Sequence, residues 1–274
     1  MTRDVPNHIA RHPAQTHPAP FDLAASTYDA DFTHTPLVRA LRARVWERLG
    51  QLFPAGSRVL ELGCGTGEDA QHLASHGVRV FATDQSEAML AVARRKCAGL
   101  PVEFAPLDFS ISDFGFRISD RGMFDGVFSN FGGLNMLPDY QSLISNLQSL
   151  IKPGGPALLV LMGRWCAWEI LWHLAHLDRR AAFRRLHPEG AVAWVGGTAV
   201  RVRYPATASL RRAFAPHFHL VRVRPLGVLL PPSYLEPLTR RRFFPFRLFA
   251  WLDRRLPLPL WGDHVLYEFR RNPN

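Results

Sequence analysis

The sequence predicts an α/β protein with a doubly wound, mostly parallel sheet of seven strands. Five short, nearly continuous apolar runs alternate with segments of helical periodicity, and two further apolar runs follow near the end of the chain. Apolar runs without polar alternation are typical of strands that are covered on both faces. The alternation of strand and helix implies parallel strands joined by right-handed crossovers. We therefore expect a sheet between two layers of helices.

The predicted elements follow one another in the order that such a sheet requires. A helix at residues 36–52 has one apolar face, and its arginines, Arg42 among them, are expected mostly on the other faces. The apolar runs that predict core strands lie at residues 58–62, 78–82, 102–104, 124–128, 157–161, 218–223 and 265–269. The helical patterns between them lie at residues 68–76, 86–97, 139–151 and 206–215.

The remaining segments predict additions to this core. Residues 1–20 are rich in Pro and His and predict a flexible tail. Residues 21–53 predict a helical lid, and residues 54–274 predict the main domain. The main domain carries two expected cap insertions, which lie at about residues 164–197 and 227–262. Within and after the first, the pattern predicts an aromatic helix at 164–187 and a strand with one wet face at 199–204.

Composition excludes several classes of protein. The chain has 274 residues, of which 47% are hydrophobic and 20% charged, as in ordinary globular domains. Its three cysteines have no paired spacing, which argues against a disulfide framework and against a zinc site. The first twenty residues lack the apolar core of a signal peptide, and no segment has the roughly 20 apolar residues of a membrane span. These observations predict a cytoplasmic protein without a transmembrane segment or a bound metal.

The net charge of +10 comes entirely from the second half of the chain. Residues 161–274 carry 19 basic and 7 acidic residues, whereas residues 1–160 carry 14 and 16. Such an excess is typical of proteins that bind nucleic acid, an anionic lipid surface or an acidic substrate. An arginine-rich coding bias also produces it, since Lys96 and Lys152 are the only lysines. Both interpretations stay open.

The motif with the most chemical content is ELGCGTG at residues 61–67, where a predicted strand ends and a helix begins. Gly63, Gly65 and Gly67 allow a sharp turn and the close approach of a ligand, and the helix that follows presents free N–H groups. Asp84 ends the next apolar run, where a carboxylate can accept hydrogen bonds from two ribose hydroxyls.

Asp108 follows the third apolar run, within reach of an adenine amino group. The three features therefore fall at three consecutive strand ends. The glycine spacing is G-x-G-x-G, which differs from the G-x-G-x-x-G of nicotinamide enzymes.

At these positions the sequence resembles the class I, Rossmann-like S-adenosylmethionine-dependent methyltransferases of the small-molecule type, over about residues 55–162. Residues 83–90 resemble the second motif of that family, and residues 150–155 resemble the turn before its fifth strand. The resemblance implies S-adenosylmethionine as cofactor, with the glycine turn at its methionine part and the two acids at its ribose and adenine. The implied cofactor site consists of Tyr28, Glu61, Gly63, Cys64, Gly65, Thr66, Gly67, Asp84, Gln85, Met89, Leu107, Asp108, Phe109, Asn130 and Phe131.

Several of these residues have a structural alternative. Asp108 could cap the next element, and Glu61 could accept N–H groups of the loop. Cys64 is favoured as a small turn residue over a reactive thiol. Tyr28 resembles a lid tyrosine that approaches the cofactor, but it could equally pack within the lid.

The acceptor side is less specified. The fourth strand end, at residues 128–135, lacks the Pro-Pro pattern of enzymes that methylate amino groups of bases. Residues 130–133 resemble small-molecule methyltransferases instead. Tryptophans spaced three and four residues apart in the first cap predict one helical face, which serves either as core or as a substrate wall. The candidate acceptor residues are Gly132, Gly133, Trp165, Trp168 and Tyr234.

Transfer of a methyl group from a sulfonium needs positioning and exclusion of water more than covalent catalysis. A general base matters only for a hydroxyl, a thiol or a protonated amine. The candidate catalytic residues are Tyr28 and His264, with Asp263 placed to orient His264. His173 and His176 are weaker candidates.

We therefore expect a methyltransferase that acts on a small organic acceptor resembling a natural product, with an aromatic ring or a carboxylate. The alternatives are an RNA-modifying methyltransferase that uses the basic half, although the sequence disfavours nucleic acid as partner, and a non-methylating enzyme such as a cyclase. The basic and aromatic residues of the second cap are favoured as a cap that packs on the sheet with its arginines in water. The alternatives are a pocket wall, a membrane-surface patch or a single-stranded RNA contact. The sequence does not indicate an oligomeric state.

Overall fold

The fold was analysed in a computed structural model that describes residues 21–109, 113–195, 197–239, 245–255 and 260–273. The predicted tail at residues 1–20 and the basic and aromatic residues 240–244 lie outside the described residues.

Seven strands form one sheet in the order β3-β2-β1-β4-β5-β9-β8. The five strands β1 to β5 pair in parallel, and β9 runs antiparallel to both β5 and β8. This confirms the predicted mostly parallel, seven-stranded α/β sheet. Its strands are β1 (Arg58–Leu62), β2 (Arg79–Asp84), β3 (Val102–Pro106), β4 (Gly126–Ser129), β5 (Pro156–Met162), β8 (Phe218–Leu226) and β9 (His264–Arg271).

The helices cover both faces of this sheet, because successive strand residues bury their side chains in opposite layers. Helices α4, α5 and α8 pack with Leu60 and Phe81 on one face, and helices α1, α2 and α3 pack with Val59 and Val80 on the other. The helices are α1 (Pro36–Leu52), α2 (Glu68–Ser75), α3 (Glu87–Lys96), α4 (Phe114–Arg117), α5 (Gln141–Leu150), α6 (Ala167–Ala175), α7 (Arg179–Ala182), α8 (Thr207–Phe214), α9 (Glu236–Thr239) and α10 (Phe246–Arg255).

Local capping explains where two of these helices begin. Thr35 precedes α1, and its hydroxyl accepts a hydrogen bond from the Val38 N–H, with Pro36 at the first helical position. Ser86 caps α3 in the same way by accepting from the Met89 N–H. Ser86 lies two residues after Asp84, so this cap also fixes the chain at the end of β2.

The first cap differs from the prediction. The single helix expected at residues 164–187 is broken into α6, α7 and a short 3-10 turn, because Leu177 adopts a positive φ of 58° between the two α-helices. The expected strand at 199–204 exists as β7 (Thr198–Val202), and it pairs with β6 (Ala191–Val195), a strand that the sequence analysis missed. The pair forms an antiparallel hairpin separate from the main sheet.

The second cap is fixed to the core by the buried carboxylate of Asp253 in α10. This carboxylate accepts hydrogen bonds from the backbone N–H groups of Gly227, Val228 and Leu229. It also forms an ion pair with Arg44 of α1. Helix α10 is therefore held against α1 by a buried polar anchor as well as by apolar packing.

Candidate functional site

A cavity of about 510 Å³ lies at the carboxyl ends of the parallel strands, where doubly wound sheets bind ligands. The lid, the glycine turn, the ends of β2 and β4 and the β6–β7 hairpin all contribute to its wall. Of the residues that the sequence analysis proposed, those that line it are Tyr28, Gly63, Cys64, Gly65, Thr66, Asp84, Gln85, Met89, Phe109, Asn130, Phe131, Gly132 and Gly133.

The glycine turn joins β1 to α2 in a backbone conformation that favours glycine. Gly63 has a φ of 72° and Gly65 a φ of 53°, and no atom lies within 4 Å of where a Cβ on Gly65 would stand. A side chain at Gly65 would therefore extend into free space at the cavity wall. Gly67 has another function, since a Cβ there would come within 2.8 Å of the Ala93 Cβ, and its lack of a side chain lets α2 approach α3.

Asp84 closes this turn from the end of β2. One carboxylate oxygen accepts from the Gly65 N–H at 2.8 Å, and the other accepts from the Ser86 N–H at 2.9 Å. Burial raises the pKa of Asp84 above its usual value, and these backbone N–H groups oppose that effect. The carboxylate keeps acceptor capacity that a pair of ribose hydroxyls would use.

Arg42 contributes a cation that the sequence analysis placed away from the core, and that expectation is wrong. Its side chain is buried on the apolar face of α1, and its Nη1 donates to Asp69 of α2 at 2.5 Å. Asp69 also accepts from Trp46 at 2.6 Å and from Asn130 at 3.0 Å. The Arg42 Nε is buried and has no hydrogen-bond partner within the described part of the chain.

Two features at this end of the cavity fit a methionine zwitterion. A buried guanidinium with a free N–H suits a carboxylate, and the lining acids Asp69 and Asp84 suit an ammonium and a sulfonium. Arg42 lines the cavity together with Thr33, Glu68 and Asp69. The sequence does carry a signal for this position, because residue 42 follows Val38 by four positions and precedes Val45 by three, which places it on the same helical face as these apolar residues.

The lid covers this end with aromatic side chains. Tyr28 contacts Phe21 and Phe32, with ring centroids 6.3 and 5.2 Å apart, and Phe32 meets Phe131 edge to face at 5.9 Å. Burial raises the pKa of Tyr28 to about 12, an effect that Arg42 only partly offsets. The raised pKa favours the neutral hydroxyl, which can donate a hydrogen bond.

Ion pairs and hydrogen bonds attach the lid to the main domain. Asp29 accepts from the Thr66 hydroxyl at 2.6 Å and pairs with Lys96 at 2.7 Å. Lys96 also pairs with Glu68 at 2.9 Å. Asp29, Glu68 and His34 bring three potential metal ligands together, and both carboxylates already pair with the Lys96 ammonium.

The opposite side of the cavity is apolar. The β6–β7 hairpin forms part of this side. The sequence analysis did not predict the hairpin, although a Gly-Gly dipeptide between two alternating runs indicates one. Phe131, at the end of β4, has a φ of 51°, an uncommon conformation for an aromatic residue and one that strained functional positions adopt. The residues on the hairpin side of the wall are Met136, Met162, Ala193, Trp194, Val195, Val200 and Val202.

Four proposed cofactor residues do not line the cavity. Glu61 lies beneath the turn, 1% exposed, and its Oε2 has no hydrogen-bond partner in the described structure. Burial first, and then the charge of Asp69, raises the pKa of Glu61 well above its ordinary value. Gly67 serves helix packing, Leu107 is a core residue, and Asp108 accepts a long hydrogen bond of 3.4 Å from Gln85.

The proposed tryptophans and Tyr234 also lie outside the cavity wall, although Ser233, the neighbour of Tyr234, lines it. Trp165 precedes α6 and is 41% exposed, so it does not share a helical face with Trp168. The Tyr234 hydroxyl donates to Glu169 at 3.2 Å.

His264 is buried outside the cavity wall, with its ring edge-on to Phe131 at 5.3 Å. Its Nδ1 lies 3.1 Å from Asp263 Oδ2, although the geometry is not that of a hydrogen bond. Arg185 bridges Asp263 at 2.7 Å to Glu169 at 2.8 Å. This buried network ties α6 of the first cap to the start of β9.

Comparison with known proteins agrees with this geometry. Residues 59–155 match the family model described as a methyltransferase domain. Residues 59–155 therefore contain a methyltransferase domain. This agrees with the family and the cofactor that the sequence motifs indicate.

Curated relatives match the same part of the chain. A demethylmenaquinone methyltransferase of Clavibacter sepedonicus is 36% identical over 148 residues, which is 54% of this chain and 58% of the relative. A ubiquinone biosynthesis O-methyltransferase of Xanthomonas axonopodis pv. citri is 33% identical over 144 residues, 52% of this chain and 58% of the relative. The chain thus spans less than two thirds of the length of these relatives, and the caps lie largely outside the methyltransferase domain match.

Solved structures share the fold over more of the length. The CcbJ methyltransferase from Streptomyces caelestis has a TM-score of 0.61 at 20% identity, covering 93% of this chain and 98% of that one. The DhpI complex with SAH has a TM-score of 0.53 at 22% identity, covering 93% and 94%. None of the helices in the described part of the chain has both the length and the hydropathy needed to cross a bilayer.

Proposed function

We propose that this chain transfers the methyl group of S-adenosylmethionine to a small, largely apolar acceptor held beneath the β6–β7 hairpin. The observation that carries the proposal is the continuity of one cavity, which has the glycine turn and Asp84 at one side and an apolar wall at the other. The cofactor supplies an electrophilic methyl group on a sulfonium. The residues of the chain orient the two reactants and exclude water, which is where most of the acceleration of such a displacement arises.

The roles of the polar side chains follow from their positions. Arg42 holds the cofactor carboxylate with the N–H groups that Asp69 leaves free, and Asp84 accepts from the ribose hydroxyls while it keeps the turn closed. Tyr28 donates from the lid. Gly132 and Gly133 leave room beside Phe131, where the donor methyl meets the acceptor.

The apolar wall supports a small molecule over RNA. The seven residues on the hairpin side offer no cation to a phosphate backbone, whereas proteins that bind single-stranded RNA combine cations with stacked bases. The names of the curated relatives, a demethylmenaquinone methyltransferase and a ubiquinone biosynthesis O-methyltransferase, make reduced quinone rings the first acceptors to test.

The positions of Tyr28 and His264 bear on which acceptor atoms can be methylated. The raised pKa of Tyr28 favours its protonated form, and His264 does not line the cavity but lies edge-on to Phe131, which does. We therefore assign the role of general base to neither Tyr28 nor His264, and we propose an acceptor atom that needs no base, such as an oxygen or a carbon that ionises readily by itself. The catalytic assignments of Tyr28 and His264 accordingly become a positioning role for Tyr28 and a structural role for His264.

The test is turnover with methyl-labelled cofactor and soluble analogues of reduced menaquinone and ubiquinone precursors. The expected products are S-adenosylhomocysteine and an acceptor heavier by one methylene, in equal amounts. Methylthioadenosine would indicate a non-methylating reaction, and label in added RNA would indicate an RNA substrate. Failure to detect cofactor binding by calorimetry at millimolar concentration would reject the proposal altogether.

A further inference from the structure

Helix α10 presents two faces of opposite character. Phe246, Phe249 and Ala250 pack against the apolar layer that contains α1. The opposite face, which we call the α10 outer face, carries large apolar and basic side chains at the spacing of one helical stripe. It consists of Arg247, Leu248, Trp251, Arg254 and Arg255.

The apolar side chains of this face remain in water. Leu248 is 52% exposed and Trp251 is 50% exposed. The Arg255 guanidinium lies over the Trp251 ring, with its Cζ 5.1 Å from the ring centroid. A cation beside a half-exposed indole matches the boundary between lipid headgroups and acyl chains, where Trp and Arg are favoured.

The position of the helix is fixed, so the outer face does not turn inward. The buried Asp253 carboxylate is bound by three backbone N–H groups and by Arg44, which sets the rotation of α10 about its axis. Glu47 of α1 reaches the edge of the outer face and pairs with Arg254. The outer face itself contains three arginines and no acidic residue.

We propose that the α10 outer face docks on an anionic phospholipid surface, with Leu248 and Trp251 in the headgroup region and the arginines on phosphates. The charge of the face complements such a surface, and the 161–274 half of the chain, which contains α10, carries 19 basic against 7 acidic residues. A bare polyanion such as RNA complements the arginines but leaves Leu248 in water. The proposal goes beyond methyl transfer and does not depend on the identity of the acceptor.

The experiment is co-sedimentation of the full chain with vesicles at low ionic strength. Vesicles of phosphatidylcholine alone are compared with vesicles that contain one third phosphatidylglycerol. We expect binding to the anionic vesicles and little to the neutral ones. Trp251→Ser is expected to lower the partition coefficient about tenfold, since about half of an indole surface is buried at the interface. Arg247→Gln and Arg255→Gln are expected to lower it about fivefold each.

Val221→Ser is the matched control, because Val221 is 47% exposed on β8, outside the outer face, and its loss should leave vesicle binding unchanged. Cofactor affinity checks that each variant is folded. As a second measurement, brominated phosphatidylglycerol should quench part of the tryptophan emission of the unmodified chain, and Trp251→Phe should remove that part.

Three outcomes overturn the proposal. The first is the absence of binding to anionic vesicles, and the second is binding that the outer-face variants do not weaken. The third is binding of single-stranded RNA that depends on these arginines while vesicles are not bound, which would assign the face to nucleic acid.

Discussion

The Arg42 guanidinium and the Asp69 carboxylate form a buried ion pair of 2.5 Å that joins the lid helix α1 to the helix that follows the glycine turn. The Arg42 Nη1 donates a hydrogen bond to Asp69, whereas the Arg42 Nε has no hydrogen-bond partner in the described structure. The Arg42 Cζ also lies 4.7 Å from the centroid of the Phe131 ring. One side chain of the lid therefore contacts both the helix that follows the glycine turn and Phe131 at the end of β4.

Arg42→Gln should weaken cofactor binding by about 2 kcal/mol, roughly thirtyfold, because a charge-assisted hydrogen bond to the carboxylate is lost. Calorimetry with S-adenosylhomocysteine measures it. The matched control is Arg44→Gln, which breaks another buried ion pair on the same helix, with Asp253, away from the cavity. That variant should lower the melting temperature and leave cofactor affinity unchanged. An equal loss of affinity in both variants would mean that Arg42 acts through stability alone.

Asp84→Asn should weaken cofactor binding by about 1–3 kcal/mol, since the charged acceptor for the ribose is lost while its size is kept. The carboxylate also holds the Gly65 and Ser86 N–H groups, so the turn itself could loosen. A cofactor analogue without the ribose 2′-hydroxyl separates the two effects. This analogue should bind less tightly than the cofactor to the unmodified chain. The difference in affinity between the two compounds should be smaller in Asp84→Asn.

The control for that experiment is Asp125→Asn. Asp125 follows the same pattern, accepting from the Arg58 N–H and pairing with Lys152, but it precedes β4 and does not line the cavity. Its substitution should leave the affinity for both compounds unchanged. If the analogue and the cofactor bind Asp84→Asn with the same difference as in the unmodified chain, the ribose assignment is wrong.

Val202→Phe should lower kcat/KM for the acceptor by at least about tenfold and leave the cofactor Kd unchanged. Val202 is buried in the hairpin at the cavity wall, and a phenyl ring there would occupy acceptor space. Val192→Phe on the same hairpin is the control, because Val192 is 52% exposed and lies outside this wall. Loss of cofactor affinity in Val202→Phe would place the cofactor, and not the acceptor, under the hairpin.

Glu61→Gln should stabilise the chain at alkaline pH. Burial raises the pKa of Glu61 above its ordinary value of 4.5, so the folded state keeps a proton that the unfolded chain has lost. The free energy of unfolding therefore falls as pH rises from the unfolded pKa to the folded pKa, by at most about 1.4 kcal/mol per pH unit. Denaturant titrations should show the variant and the unmodified chain alike near pH 5 and the variant more stable at pH 8. Glu103→Gln, an exposed carboxyl on β3, should show no such difference.

Local sequence patterns determined much of the fold. Apolar runs and helical periodicity placed the seven core strands and most of the helices within a few residues, because burial on both faces leaves a direct mark on composition. The glycine turn and Asp84 were predicted for the same kind of reason, since positive φ and an acid at a strand end are local requirements.

Contacts between distant residues decided the rest. The sequence predicted a solvated Arg42. In the structure α1 packs against α2, and Asp69, 27 residues further along the chain, compensates the burial of the Arg42 charge. The β6–β7 hairpin became part of the cavity wall because it packs near the turn that follows β4. His264 lies outside that wall, edge-on to Phe131. Sequence periodicity reports which face of an element is buried, but not which other element covers it, and the energy of a buried charge depends on that partner.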